Sequence, residues 1–166
     1  MNKTQHKSSM TQATLCFVFR VEPQPAILLG YKKRGFGMGK YGGFGGKLQD
    51  GETLSQAALR ELHEEAGLDG DPLGLASLGS LTFIFPNKPE WDQVVHLFIA
   101  RTWHGIPTES EEMRPEWFHL TSLPLRQMWD DTQFWMPYVL SRQPIHATFT
   151  LNPDNETVKE YSIQPL

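Results

Sequence analysis

The chain has 166 residues, 39% hydrophobic and 20% charged, with a net charge of −4 and a pI near 5.8. That balance suits one globular domain and excludes a disordered chain, while the acidic charge argues against a nucleic-acid polymer as partner. No apolar run approaches the roughly eighteen residues of a membrane helix, and the opening Met1 to Lys7 leads into no signal-peptide core, so a cytoplasmic monomer is expected.

Residues 1–12 are polar and unpatterned and are expected to form a flexible tail ahead of a single domain over 13–166. A first strand is predicted from Thr14 to Arg20, carrying the one cysteine, Cys16, as a core thiol. Glu22-Pro23-Gln24-Pro25 turns the chain into a second strand over Ala26 to Tyr31, its hairpin partner. From Lys32 to Gly46 the composition becomes basic and Gly-rich without period, which reads as a loop. A helix then spans Leu54 to Ala66, because Thr53-Leu54-Ser55-Gln56 is a capping box and Gly67 a natural stop. Strands are expected at Leu78 to Phe85, Val94 to Thr102 and Glu116 to Leu120. A second helix is expected from Gln133 to Arg142, starting after Asp130 or Asp131, with Phe134, Trp135, Tyr138 and Val139 toward the core. Pro137 is tolerable only near its first turn. A strand from Ala147 to Leu151, a turn at Asn152-Pro153-Asp154-Asn155 and a strand from Thr157 to Ile163 close the chain. Together these elements imply an α/β (α+β) fold around a mixed sheet.

On the first helix Glu61, Glu64 and Glu65 fall within an arc of roughly 100°, beside an apolar stripe of Leu54, Ala58 and Leu62. Three carboxylates so close repel one another, and a hard cation such as Mg²⁺ offsets that repulsion while leaving coordination positions for water and a phosphate. Three glutamates alone also describe a solvated acidic face. The surrounding run decides between the two: Gly46-Lys47-Leu48-Gln49-Asp50-Gly51-Glu52, seven residues, then Arg60-Glu61-Leu62-His63-Glu64-Glu65-Ala66-Gly67-Leu68.

That run resembles the Nudix box at every defining position. The resemblance implies an α/β/α sandwich whose loop-helix-loop binds Mg²⁺ or Mn²⁺ through Glu61, Glu64 and Glu65, with Gly46 at the entry to the site and Glu112 a further candidate at the metal. Glu52 and Arg60 then look like an ion pair that orients the carboxylates. The reaction implied is hydrolysis of a diphosphate linkage, a metal-bound water attacking phosphorus and a glutamate receiving its proton. Glu64, Glu65 and, from a later loop, Glu112 are the candidates, and the sequence does not choose among them.

Other motifs fall away. Gly37-Met38-Gly39-Lys40-Tyr41-Gly42 fits a dinucleotide fingerprint, yet no helix opens there; Gly46-Lys47 ends like a P-loop but Leu48 follows; His63-Glu64-Glu65-Ala66-Gly67 lacks the second His of a zinc protease helix.

Outside the box, Gly30 to Gly37, Gly43-Phe44-Gly45-Gly46-Lys47, Glu112-Met113-Arg114-Pro115 and Trp129-Asp130-Asp131 resemble the MutT-like oxidised-purine nucleoside triphosphatases. The resemblance implies a small-molecule substrate, a purine nucleoside triphosphate such as 8-oxo-dGTP or 2-hydroxy-dATP. It also implies a base and sugar pocket lined by Thr14, Lys32, Phe36, Phe83, Phe85, Met113, Trp129 and Asp131. Two departures bear on it: Gly42 stands where that group has Asn, and its aspartate pair appears either as Asp131 and Thr132 or, with a shorter loop, as Asp130 and Asp131. The rival readings are another Nudix substrate, such as ADP-ribose or a dinucleoside polyphosphate, and a non-catalytic nucleotide-sensing module.

Overall fold

The structure is a computed structural model and describes residues 10–166. Residues 1–9 of the expected tail lie outside it, and Thr11 and Gln12 already belong to the first strand. The elements run β1 (Thr11–Arg20), β2 (Ala26–Lys32), β3 (Tyr41–Gly42), α1 (Leu54–Ala66), β4 (Asp69–Gly70), β5 (Leu75–Ile84) and β6 (Gln93–Ala100). Then follow β7 (Trp103–His104), β8 (Met113–His119), α2 (Thr132–Leu140), β9 (Ile145–Leu151) and β10 (Val158–Pro165).

Eight strands make one mixed sheet in the order β10-β9-β5-β6-β1-β2-β3, with β8 on the other edge of β2. The β1–β6 and β5–β9 pairs are parallel and the rest antiparallel. Alternation along β1 sends Cys16 and Val18 to one face and Phe17 to the other, so two cores form. On the first face Ala58, Leu62 and Ala66 of α1 pack with Leu28, Phe44, Phe98 and Met113. On the second, Trp135, Met136 and Val139 of α2 pack with Ile27, Leu29, Leu97 and Phe149. The result is the expected α/β/α sandwich.

Helix α1 begins as its sequence dictates: the Thr53 side chain accepts from Gln56 N and the Gln56 side chain accepts from Thr53 N. It ends at Gly67, in the left-handed region at φ 71°.

The stretch expected as a loop over 32–46 is more ordered than its composition implies. Strand β1 pairs with β2 only from Val18 to Arg20, and beyond that fork β3 takes over the edge of β2 at Gly30 and Tyr31. The gap is filled by 43–48, where Thr14 N donates to Gly46 O, Cys16 and Phe44 exchange hydrogen bonds, and Leu48 N donates to Gln12 O. Short pairings of this kind carry no periodicity for a sequence to display. They are also what brings Gly45 and Gly46 beside α1.

Helix α2 differs from expectation in one respect: Pro137 sits inside it rather than in its first turn. Its ring lies on the exposed face, and the burial of Trp135, Met136 and Val139 against the sheet sustains a helix whose own hydrogen-bond ladder is interrupted.

Candidate active site

The capped helix turns its acidic face toward the loop that fills the fork of the sheet. Arg60 is the hub: Nε and Nη2 hold Glu52 Oε1 and Oε2 at 2.6 and 3.1 Å, and Nη1 reaches Glu61 Oε1 at 2.9 Å and Glu64 Oε2 at 3.2 Å. A bidentate Arg–carboxylate pair of this geometry fixes both side chains and holds the Glu52 carboxyl below the usual carboxylate range. Glu65 is almost completely buried; its Oε1 accepts from Gly45 N at 2.8 Å and its Oε2 lies 3.8 Å from Lys32 Nζ. Lys32 Nζ also reaches Glu112 Oε2 at 3.3 Å, and Arg34 bridges Glu111 and Glu112.

Burial pushes the Glu65 carboxyl up to about 7 and raises that of Glu61, with carboxylate neighbours adding to both. Gly46 accommodates this crowding: a Cβ there would stand 2.8 Å from the Glu61 carboxyl carbon, so any larger residue would push the carboxylate aside. Among the described residues no three acidic or His/Cys side chains converge tightly enough to hold an ion as they stand; Glu61 and Glu64 are drawn to Arg60, and Glu65 to Gly45 and Lys32. The donor set consists of hard carboxylate oxygens crowded on one helix face beside the Gly45–Gly46 backbone, so it fits a hard divalent ion.

A cleft of about 400 Å³ opens from this loop. Of the residues expected around a base and sugar, Thr14, Lys32, Phe36, Gly42, Phe83, Phe85, Met113, Trp129 and Asp131 all line it, together with Gly46 and Glu65. The cleft therefore joins the acidic helix to an aromatic recess. Phe36 stacks on Trp129 with ring centroids 5.1 Å apart, and Lys40 Nζ stands 4.9 Å from the Trp129 ring. Phe83 stacks on Phe149, while Phe85 and Met113 are core side chains.

Asp130, also expected in that pocket, stands apart. It does not line the cleft: its carboxylate accepts from Val158 N at 2.8 Å and from Gln133 Nε2 at 3.0 Å. One residue later the backbone enters α2 and turns Asp131 inward, where Trp135 Nε1 donates to Asp131 Oδ2 at 2.7 Å. Burial pushes the Asp131 carboxyl up to about 6. Glu61, Glu64 and Glu112 likewise stand outside the cleft lining, at its acidic end. The sequence reading missed Trp135 as the partner of Asp131, although their four-residue spacing at a helix start was a usable signal. It also missed Lys40, Gln93, Met128 and Asn155, whose place in the lining depends on strand order.

The Nudix domain family matches residues 10–139, most of the chain. The chain belongs to the Nudix family. As a Nudix hydrolase it falls among enzymes that generally use divalent metal ions. It is 44% identical over 154 residues to the oxidized purine nucleoside triphosphate hydrolase of Mus musculus, covering 93% of this chain and 96% of that one. The Danio rerio protein of the same name is 47% identical over 133 residues, 80% of this chain and 83% of that one. Among solved structures, the MutT protein of Bacillus halodurans superposes with a TM-score of 0.76 at 22% identity, over 93% of this chain and 98% of that one, a likeness of fold.

Proposed function

We propose that this Nudix hydrolase converts purine nucleoside triphosphates, oxidised ones such as 8-oxo-dGTP and 2-hydroxy-dATP included, to monophosphate and pyrophosphate with Mg²⁺, for which Mn²⁺ can substitute, and so cleanses the nucleotide pool. The observation that carries this reading is the continuous cleft from the Gly46–Glu65 end to the aromatic recess of Phe36, Trp129 and Asp131. A triphosphate and a purine need both ends at once. The names of the two vertebrate relatives support the same substrate class.

Glu61, Glu64 and Glu65 are the residues to hold the ion, which when bound neutralises phosphate oxygens and lowers the pKa of an attacking water. Lys32 adds a positive charge beside the phosphate path, and Arg60, anchored by Glu52, would keep the carboxylates that hold the ion aligned. For the proton, Glu64 is the best placed of the three candidates: its side chain is 54% exposed, and Oε1 accepts no hydrogen bond among the described residues. Glu65 is committed to Gly45 and Lys32, and Glu112 to Lys32 and Arg34. At the far end, the face of Trp129 receives the base and Asp131 bonds its polar edge.

The test is pyrophosphate release with Mg²⁺ from dGTP, 8-oxo-dGTP, 2-hydroxy-dATP, ADP-ribose and a diadenosine polyphosphate. Purine triphosphates should be turned over best, and Glu64→Gln should fold normally while losing at least about a hundredfold in kcat. Undiminished turnover by a folded Glu64→Gln contradicts the metal assignment. Silence on every compound favours a nucleotide-sensing module, and preference for ADP-ribose a different Nudix substrate.

A further inference from the structure

The turn between β9 and β10 is tightly built. The Asp154 carboxylate accepts from Glu156 N and Thr157 N, both at 2.9 Å, and from the Thr157 hydroxyl at 2.6 Å. Asn152 Nδ2 donates to Thr157 Oγ1 at 3.0 Å, Asn152 N to Thr157 O, and Asn155 N to Asn152 O. These bonds use the backbone of Asn155 and leave its side chain out. Asn155 lines the cleft, yet among the described residues its Oδ1 is buried without a hydrogen-bond partner. A buried polar atom without a partner is uncommon and calls for an explanation.

Backbone geometry does not supply one. Asn155 has φ 58°, in the left-handed region where Asn and Gly are both tolerated. Glycine would meet that demand with no oxygen left unpaired. The turn is also joined to the base end of the cleft, because Asp130 Oδ2 accepts from Val158 N at 2.8 Å and so ties the start of β10 to the loop bearing Trp129 and Asp131.

The geometry points to Asn155 as a further substrate-binding residue, its amide hydrogen-bonding the polar edge of the purine base, with Asp130 as the positioning residue that holds the turn in place. This rests on the purine triphosphate reading and goes beyond it by naming a contact contributed by the β9–β10 turn. A carboxamide offers one acceptor and two donors and can rotate about Cβ–Cγ, so it meets an amino or a carbonyl edge equally. That suits a pocket where Gly42 presents no side chain and Thr132 follows Asp131.

Asn155→Gly removes the amide and keeps the backbone free to adopt its turn. Steady-state kinetics on dGTP, 8-oxo-dGTP and 2-hydroxy-dATP should show KM raised about tenfold on the best substrate, with kcat within about twofold and the thermal midpoint unchanged. A KM that rises less than about threefold on every member overturns the inference. If Asn155→Gly does not fold, Asn155→Asp decides: it keeps the acceptors and loses the donors, so the kcat/KM ratios across the three substrates should shift at least about fivefold, and unshifted ratios overturn the inference. Wild-type protein inactive on all three overturns the substrate reading and this inference together, whereas active wild type with an unaltered variant overturns the inference alone.

Discussion

Asp131 is only 5% exposed, and among the described residues its sole side-chain partner is the indole N–H of Trp135. Burial holds its proton up to about pH 6, against about 3.9 in an unfolded chain. The folded protein therefore binds the proton more tightly, and stability should fall as pH rises from about 4 to about 6, then level off. Asn cannot ionise, so the stability of Asp131→Asn relative to wild type should rise by about 2 kcal/mol between pH 4 and 7.5, measured by denaturant unfolding. A difference constant over that range contradicts the assignment. Gly42 presents a simpler case. Among the described residues a Cβ there meets nothing within 4 Å and the residue lines the cleft, so Gly42→Asn should fold with stability within about 0.5 kcal/mol of wild type. If the vacancy sets base preference, the kcat/KM ratio of oxidised to normal purines should move about tenfold; equal ratios mean that the position does not select.

At the scale of elements, what the sequence displayed and what it hid follow from how each element is stabilised. Helix α1 was legible end to end, because a capping box, an apolar stripe and a terminal glycine are all local signals. The acidic residues were legible for the same reason, as offsets of three and four share a helix face. Strand β3 was hidden: two residues paired across the fork beyond Leu28 have no pattern of their own. The inner Pro137 was misjudged because tertiary burial of α2, rather than its hydrogen bonds, decides whether that helix forms. Asp130 and Asp131 could not be told apart in sequence, since one peptide unit at a helix start separates an inward carboxylate from one that anchors β10. Asn155 was read only as part of a turn, and its place in the cleft follows from β9 pairing with β5 rather than from its neighbours.

In the whole molecule, two helices on opposite faces of one sheet leave their working ends at the same opening. Helix α1 supplies the acidic end, the start of α2 supplies Asp131, and the loop that fills the fork between β1 and β2 connects the two. Under the proposed function a phosphate chain and a base are held at fixed separation, which determines the phosphorus atom attacked. Product analysis with 8-oxo-dGTP and Mg²⁺ tests this most directly. Phosphorus NMR should find equal amounts of 8-oxo-dGMP and pyrophosphate, with turnover abolished by EDTA and restored by added Mg²⁺. Release of orthophosphate with 8-oxo-dGDP, or turnover indifferent to EDTA, contradicts it.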